Sequence, residues 1–150
     1  MQTFLPYRSF KESAECLDYK RLGKQRVEAM QILNALKNRK QNITHKFDKN
    51  GKLRKIGWLN HPAVLMWEGY EDALKSYYNT IVTEWVSRGY NNNMKLFKLK
   101  ASIKYPSWLG NKKFHASHRS NLLRKDQQYY SQYLWTESSN LEYVWPVQKD

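Results

Sequence analysis

The chain has 150 residues, enough for one domain around one hydrophobic core. Its 26 Lys and Arg against 13 Asp and Glu give a formal net charge of +13, and 15% of its residues are aromatic. Self-repulsion from so large an excess opposes compact folding, so we expect a polyanionic partner, with nucleic acid as the first candidate and an anionic membrane surface as the second.

Cysteine usage and the lack of long apolar segments exclude further classes. The one cysteine, Cys16, rules out a disulfide within the chain and disfavours a cysteine-based metal site. No apolar run approaches the length of a membrane span, and the opening MQTFLPYRSF lacks the apolar stretch of a signal peptide. We therefore expect an intracellular protein, cytoplasmic or nuclear, that acts as a monomer without membrane contact, cofactor or metal.

Two helices are predicted near the start of the chain. Ser9 and Glu12 match a capping box, which predicts a short helix ending near Leu17. Asp18 is placed to cap a second helix over about 19–38. Apolar residues at helical spacing mark the buried face of this second helix; they are Leu22, Ala29, Leu33 and Leu36.

One acid stands out in this second helix. Glu28 follows the cationic and carboxamide-rich segment KRLGKQRV. At about 100° per residue it lies roughly 120° from the apolar stripe, on the flank of Arg21 and Gln25. This position is at the border of the core, where a cleft can open. Glu28 is then either part of a solvated helix face or a catalytic acid in a phosphate-binding site.

A basic loop follows the second helix. Residues 37–55 contain eight cations and one acid. The pair Asn50-Gly51 favours a tight hairpin turn. This insertion is either a solvated loop or an element that contacts phosphates without reading sequence.

Two more helices complete the predicted fold. A long helix is expected over 62–88, with Asn60 as its cap and Gly89 as its stop, and a fourth from Lys112 to Asp126, capped by the residue before it. In the long helix, residues recurring at three- and four-residue steps indicate a core seam: Trp67, Tyr70, Leu74, Tyr77, Ile81 and Trp85. We predict an all-α fold: one compact domain over residues 1–150 with three to four main helices, a basic hairpin-like insertion and an aromatic-rich C-terminal tail.

Histidines and cations on the fourth helix are candidate nucleic-acid contacts. His115 and His118 are spaced to share a metal, but no third ligand, HExxH motif or cysteine pair accompanies them. We expect them to contact phosphates or bases instead. Further predicted contacts of the same kind are His61, Arg119, Arg124 and Lys125.

Two segments resemble a family of DNA repair enzymes. LDYKRLGKQRVE, from Leu17 to Glu28, resembles the first long helix of the pyrimidine-dimer DNA glycosylases of the phage endonuclease V type. The segment from His61 to Asn91, which ends in SRGYN, is similar to the second helix of that family. The resemblance covers most of the chain except residues 39–56 and the extreme C-terminus. It is closest to a branch with LGKQRVE, NHPAxxMWxGY and SHRSNLLRKD signatures.

The resemblance implies a mechanism. In this family the N-terminal α-amine attacks C1′ of the damaged nucleotide and forms an imine, and a glutamate on the first long helix assists the β-elimination that nicks the strand. Carried over, Met1 supplies the amine and Glu28 the carboxylate of a DNA repair glycosylase with AP-lyase activity on double-stranded DNA. An α-amine suits this role because its usual pKa of about 8 leaves roughly a tenth of it neutral at pH 7. Neighbouring side chains would hold the flanking phosphates; these are Arg21, Lys24, Gln25 and Arg26.

Some features depart from the family pattern or have more than one interpretation. The size of Gln2 disfavours removal of Met1, so the reactive amine would lie one residue further out. Val27 stands where an arginine is expected, so another arginine must take over its role. The ring-rich tail is similar to one that packs near the lesion in the family, which makes Tyr129 and Tyr130 candidates either for base stacking or for core packing.

Two other functions remain open from the sequence. A DNA- or RNA-binding module without catalysis would use the basic loop and the fourth helix for phosphates, with Glu28 only ion-paired. An enzyme acting on RNA or on a hypermodified base would give the histidines a larger role.

Overall fold

The computed structural model describes residues 1–147 and is mainly α-helical, as predicted. Within this range the chain forms six helices, a pair of short strands and a final 3₁₀ turn. In order they are α1 (Phe10–Cys16), α2 (Tyr19–Lys40), β1 (His45–Phe47), β2 (Leu53–Lys55), α3 (Pro62–Leu65), α4 (Glu71–Ser87), α5 (Lys112–Lys125), α6 (Gln127–Tyr130) and the turn Ser131–Tyr133. None of the helices described is long and apolar enough to cross a membrane.

Helices α1, α2 and α5 begin at the residues predicted to cap them. The side chains of Ser9, Asp18 and Asn111 each accept a hydrogen bond from the backbone N–H three residues later, at 3.1, 3.4 and 3.0 Å. Such bonds satisfy backbone donors that the first helical turn leaves free. Three helix starts are therefore determined by local sequence.

The prediction of one continuous helix over 62–88 is wrong, because the chain is broken there into α3 and α4. Between them Gly69 has a left-handed φ of +86°, a conformation that ends helices. The cap of α3 is His61 rather than Asn60, and its Nδ1 accepts a backbone hydrogen bond from the first turn at 3.0 Å. The aromatic periodicity continues across the break because Trp67 is buried in the core from the connecting turn.

Helices α2 and α4 approach each other closely where Gly23 faces Trp85. A Cβ atom added to Gly23 would lie 2.8 Å from the Trp85 ring. This ring is held from other sides, since the Arg26 guanidinium lies 4.2 Å from its centroid and the Tyr90 ring centroid lies 4.4 Å away. The contact between the helices therefore requires glycine at this position.

The basic segment after α2 forms a hairpin in which β1 and β2 pair antiparallel, with Lys46 opposite Arg54. Its one acid, Asp48, accepts backbone hydrogen bonds from Asn50 (2.9 Å) and Lys52 (3.0 Å) and so closes the turn. Every residue of the two strands is exposed. The hairpin thus presents its cations to solvent while its acid is engaged in the turn.

We expect Gly23→Ala to destabilise the fold. Alanine favours a helix by about 1 kcal/mol over glycine, but overpacking against a held ring costs about 1–3 kcal/mol. Urea unfolding should show a net loss of about 1 kcal/mol. Gly57→Ala is the control, because a Cβ atom there meets nothing within 4 Å. A Gly23 variant as stable as the Gly57 variant would contradict the close approach of the two helices.

Candidate active site

The first residues of the chain run through the core as an extended segment. Thr3, Phe4 and Leu5 are buried, and residues 1–5 belong to no helix or strand. Buried peptide groups need hydrogen-bond partners. Side chains of α2, α4 and α5 provide them for this segment.

Gln25 of α2 joins the N-terminal segment to Glu28. Its amide nitrogen donates to the carbonyl of Gln2 and to Oε2 of Glu28, both at 3.0 Å. Its amide oxygen accepts from the hydroxyl of Tyr77 at 2.6 Å and from the N–H of Phe4 at 3.2 Å. The sequence predicts that Gln25 contacts DNA. In the structure it is buried with all these partners and positions the N-terminal segment instead.

Two histidines of α5 hold the peptide groups of Leu5. Nδ1 of His118 accepts from the N–H of Leu5 at 2.9 Å. Nδ1 of His115 donates to the carbonyl of Leu5 at 2.7 Å, and its Nε2 accepts from the N–H of Gly110 at 2.9 Å. The two rings are therefore neutral and in opposite tautomers.

This position does not fit the predicted DNA contacts of the two histidines. His115 and His118 are 5% and 2% exposed. Burial lowers the pKa of both side chains, that of His118 to about 3. Their role is to fix the N-terminal segment. Among residues 1–147 no group of three or more His, Cys, Asp or Glu is placed to hold a metal ion.

The Glu28 carboxylate lies beside the start of the chain. Its Oε2 accepts from the backbone N–H of Gln2 at 3.3 Å as well as from Gln25, and its Oε1 lies 3.6 Å from Nζ of Lys24. Only 7% of Glu28 is exposed. The nitrogen that contacts the carboxylate is the backbone nitrogen of Gln2. The amine of Met1 belongs to the residue before it.

A cavity of about 260 Å³ opens next to Glu28. Its lining combines the acid with cations from two helices: Gln2, Phe4, Lys20, Arg21, Lys24, Gln25, Glu28 and Lys125. Burial and the charges of Arg21, Arg124 and Lys24 lower the pKa of the Lys125 ammonium. The cavity thus has the character of an anion-binding site around a single carboxylate.

Met1 lines a second cavity of about 210 Å³. This cavity lies beside residues of α2 that follow Glu28 in the chain. Lys46 of the hairpin and Trp58 of the following loop border the same cavity. Trp58 has a left-handed φ of +72°, which costs a bulky residue about 1–3 kcal/mol. The nearby His61 is engaged as the cap of α3, and burial followed by the positive N-terminus lowers its pKa.

Three predicted phosphate-binding cations lie away from the cavity at Glu28. Arg26 packs on the Trp85 ring and donates to Asn92 at 2.9 Å. Arg119 pairs with Glu137 at 2.6 Å, and Arg124 donates to a backbone carbonyl of the C-terminal segment at 3.0 Å. The structure therefore brings Arg21, Lys24 and Lys125 together with Glu28 and uses the other three within the fold.

The tyrosines after α5 pack in the core region. Tyr130 is fully buried, donates to the carboxylate of Asp18 and stacks on Trp135 at 5.6 Å between centroids. Tyr129 is half-buried against Tyr130, with 4.8 Å between ring centroids. Of the two interpretations left open by the sequence, Tyr130 fits core packing.

Four residues of this region were not predicted to belong to the site: Gln2, Lys20, Tyr77 and Trp58. The spacing of Lys20 from Lys24 and Glu28 places all three on one helical face, so this residue was open to prediction. The partners of Tyr77 and Gln2 are far apart in sequence, and no local pattern indicates them. Trp58 begins the fuller form of one signature, WxNHPAxxMWxGY, but the sequence assigned it no role.

Comparison with known proteins gives one match. A family model described as pyrimidine dimer DNA glycosylase matches residues 1–98 of the chain. The matched part contains the N-terminal segment, Glu28 on α2 and the helices α3 and α4, while the histidines of α5 lie beyond it. No curated protein and no solved structure matches the chain.

We expect stability to fall as pH decreases from about 6.5 towards 3. Unfolded His118 binds a proton near its usual pKa of 6.5, whereas the folded side chain binds one only near 3. The unfolded state therefore gains the proton first, at up to about 1.4 kcal/mol per pH unit. His115 shifts in the same direction.

Urea unfolding at several pH values measures this slope. In His118→Asn, an amide oxygen can still accept from Leu5, and the slope between pH 6 and 4 should become shallower. His45→Asn, at an exposed position, should leave it unchanged. Equal slopes for wild type and His118→Asn would show that this ring is not the proton acceptor.

Proposed function

Because the chain belongs to the pyrimidine dimer DNA glycosylase family, we propose that it excises a damaged base from double-stranded DNA and nicks the strand through an imine on its N-terminal amine. The observation that supports this most directly is the 3.3 Å contact between the backbone nitrogen of Gln2 and the Glu28 carboxylate. Since Gln2 follows Met1 directly in the chain, this contact supports a position of the N-terminal residue near that carboxylate.

The amine and the carboxylate have complementary parts in the proposed reaction. The nitrogen of the amine forms a bond to C1′ of the damaged nucleotide, and the bond from C1′ to the base breaks, so that the base leaves with the electron pair and takes up a proton. Glu28, itself buried beside the cavity, stabilises the positive charge that develops on the sugar. Opening of the sugar ring then yields the imine.

Strand cleavage completes the proposed sequence. Glu28 helps to accept the proton from C2′, the electron pair of that bond forms a double bond to C3′, and the bond from C3′ to its oxygen breaks. The phosphate that was attached to this oxygen leaves with the downstream fragment and becomes its 5′ end. Hydrolysis of the imine returns the amine.

The cations next to Glu28 supply the proposed phosphate contacts. Lys20, Arg21, Lys24 and Lys125 line the same cavity as the acid and would neutralise the phosphates that flank the reacting nucleotide. The exposed hairpin adds Lys46 on the Met1 side. This distribution fits a DNA strand that passes over the site, since such a strand has phosphates on both sides of the reacting sugar.

Blocking the N-terminal amine tests the nucleophile. We expect untagged protein to give a covalent complex when borohydride is added with duplex DNA that carries a pyrimidine dimer or an abasic site. Acetylation of the α-amine alone should reduce this trapping at least about 100-fold, because the acetylated nitrogen is no longer nucleophilic. DNA affinity should change by less than about threefold. Trapping that survives acetylation would contradict an α-amine nucleophile.

Glu28→Gln tests the carboxylate. The amide keeps the size of the side chain and can still accept from Gln2, but it neither balances a sugar cation nor takes a proton. We expect single-turnover cleavage to fall by about 100- to 1000-fold, with binding preserved. Glu15→Gln, at an exposed position on α1, is the matched control.

Two results would favour the other functions. If Glu28→Gln cleaves DNA within about threefold of the wild-type rate, the Glu28 carboxylate has no catalytic role. Binding that is steeply salt-dependent, without any trapped complex on either DNA, would favour a nucleic-acid-binding module.

A further inference from the structure

The hairpin carries two apolar side chains that the fold does not bury. Phe47 is 74% exposed and Leu53 is 54% exposed. The two residues are directly opposite each other in the paired strands, so their side chains form one apolar patch next to the turn. Apolar side chains gain free energy when they leave water. A patch of this kind at the end of a projecting hairpin therefore indicates a partner surface.

Lysines surround this apolar patch. From His45 to Lys55 the hairpin has four lysines, one arginine and one acid. The acid, Asp48, pairs with Arg54 at 3.1 Å and closes the turn. Within residues 1–147, none of the four lysines forms an ion pair with an acid. Their charges are therefore free to attract an anionic partner.

The two faces of the hairpin differ in chemistry. Side chains alternate between the faces of a strand, so Lys46 and Arg54 lie on one face, and Phe47 and Leu53 lie on the other. Every residue of both strands is exposed, which means that neither face packs on the core. A partner that encloses the hairpin would contact a charged face on one side and an apolar face on the other.

The major groove of duplex DNA matches this hairpin in width and in chemistry. The groove is about 12 Å wide and admits a two-stranded ribbon, whereas the minor groove is only about 6 Å wide. Its floor presents the C5-methyl groups of thymine, which apolar side chains contact, and phosphates border it on both sides. The apolar patch and the surrounding lysines thus fit one surface.

The position of the hairpin places this contact beside the reacting nucleotide rather than on it. Lys46 borders the cavity at Met1, near which the proposed function places the reacting sugar. From Lys46 to Asn50 in the turn, the chain advances by roughly 13 Å. This length corresponds to about four base pairs at a rise of about 3.4 Å each. The hairpin can therefore reach intact duplex on one flank of the lesion.

We propose that the hairpin enters the major groove about three to five base pairs from the reacting nucleotide, where Phe47 and Leu53 contact thymine methyl groups. This placement rests on the proposed function, which puts the DNA over the N-terminus and Glu28. The hairpin then holds the protein on one flank of the lesion and makes it prefer lesions with thymines in that flank.

Replacing thymine by uracil tests the contact, because the two bases differ only by the C5-methyl group. The probe is a duplex with a tetrahydrofuran analogue of an abasic site and with thymines on both flanks. We expect uracil in one flank to weaken binding by wild-type protein about three- to tenfold, as the loss of one or more methyl contacts requires. Uracil in the other flank should weaken binding less than about twofold.

A variant without the apolar patch shows whether the hairpin is responsible. Phe47→Thr combined with Leu53→Thr keeps residues that favour strands at two exposed positions, so the fold should be unchanged. This variant should bind the thymine duplex about five- to fiftyfold more weakly and should not distinguish uracil from thymine. The dependence of its affinity on salt should equal that of wild type, because no cation is lost.

Leu96→Thr is the matched control, since Leu96 is 56% exposed and lies outside the hairpin. It should bind both duplexes like wild type. The proposal is wrong if wild-type protein binds the thymine and uracil duplexes equally, or if the double variant keeps the wild-type preference for thymine. It is also wrong if light scattering shows a wild-type dimer that the double variant dissociates, because the patch would then bind a second copy of the chain.

Cleavage rates separate this proposal from the proposed function. With saturating abasic DNA, the double variant should cleave within about twofold of wild type, since the hairpin contacts only the flank. A loss above about tenfold would place the patch at the reaction site and overturn the flanking position. If wild-type protein cleaves neither dimer-containing nor abasic DNA, the proposed function fails. Binding to undamaged thymine and uracil duplexes then still decides whether the hairpin contacts the methyl groups.

Discussion

The hydrogen bonds between side chains and the buried N-terminal segment are the constraint on which the rest of the site depends. The segment pairs with no strand, so its peptide groups rely on Gln25, Tyr77, His115 and His118. An unsatisfied buried polar group costs about 1–3 kcal/mol. Displacing the segment would break several such bonds at once, so the start of the chain is held beside Glu28.

Helix α2 connects this constraint to the candidate chemistry. One face of the helix contributes Leu22 and Ala29 to the core, and the neighbouring face presents Gln25 and Glu28 three residues apart. The buried carboxylate is stabilised by hydrogen bonds from Gln2 and Gln25 and by the charge of Lys24. Glu28 is thus held by partners within the protein and also lines a cavity that is open to solvent.

The features of the fold and the site that could be predicted are those whose interacting residues are close together in the sequence. The caps at Ser9, Asp18 and Asn111 and the border position of Glu28 follow from local patterns, and the structure has them. The break near Gly69 was missed because Trp67 and Tyr70 continue the helical spacing across it. The contacts of His118 with Leu5 and of Arg26 with Trp85 were not predicted, because each pair is distant in sequence. Without a visible partner, a cation or imidazole in a basic chain resembles a DNA contact.

The identity of the amine that bonds to DNA tests the central claim most directly. Wild-type protein would be trapped on abasic DNA with borohydride, digested, and the modified residue located by mass spectrometry. We expect the adduct on the α-amine of Met1. An adduct on Lys125, whose lowered pKa and position in the same cavity make it the competing amine, would contradict it.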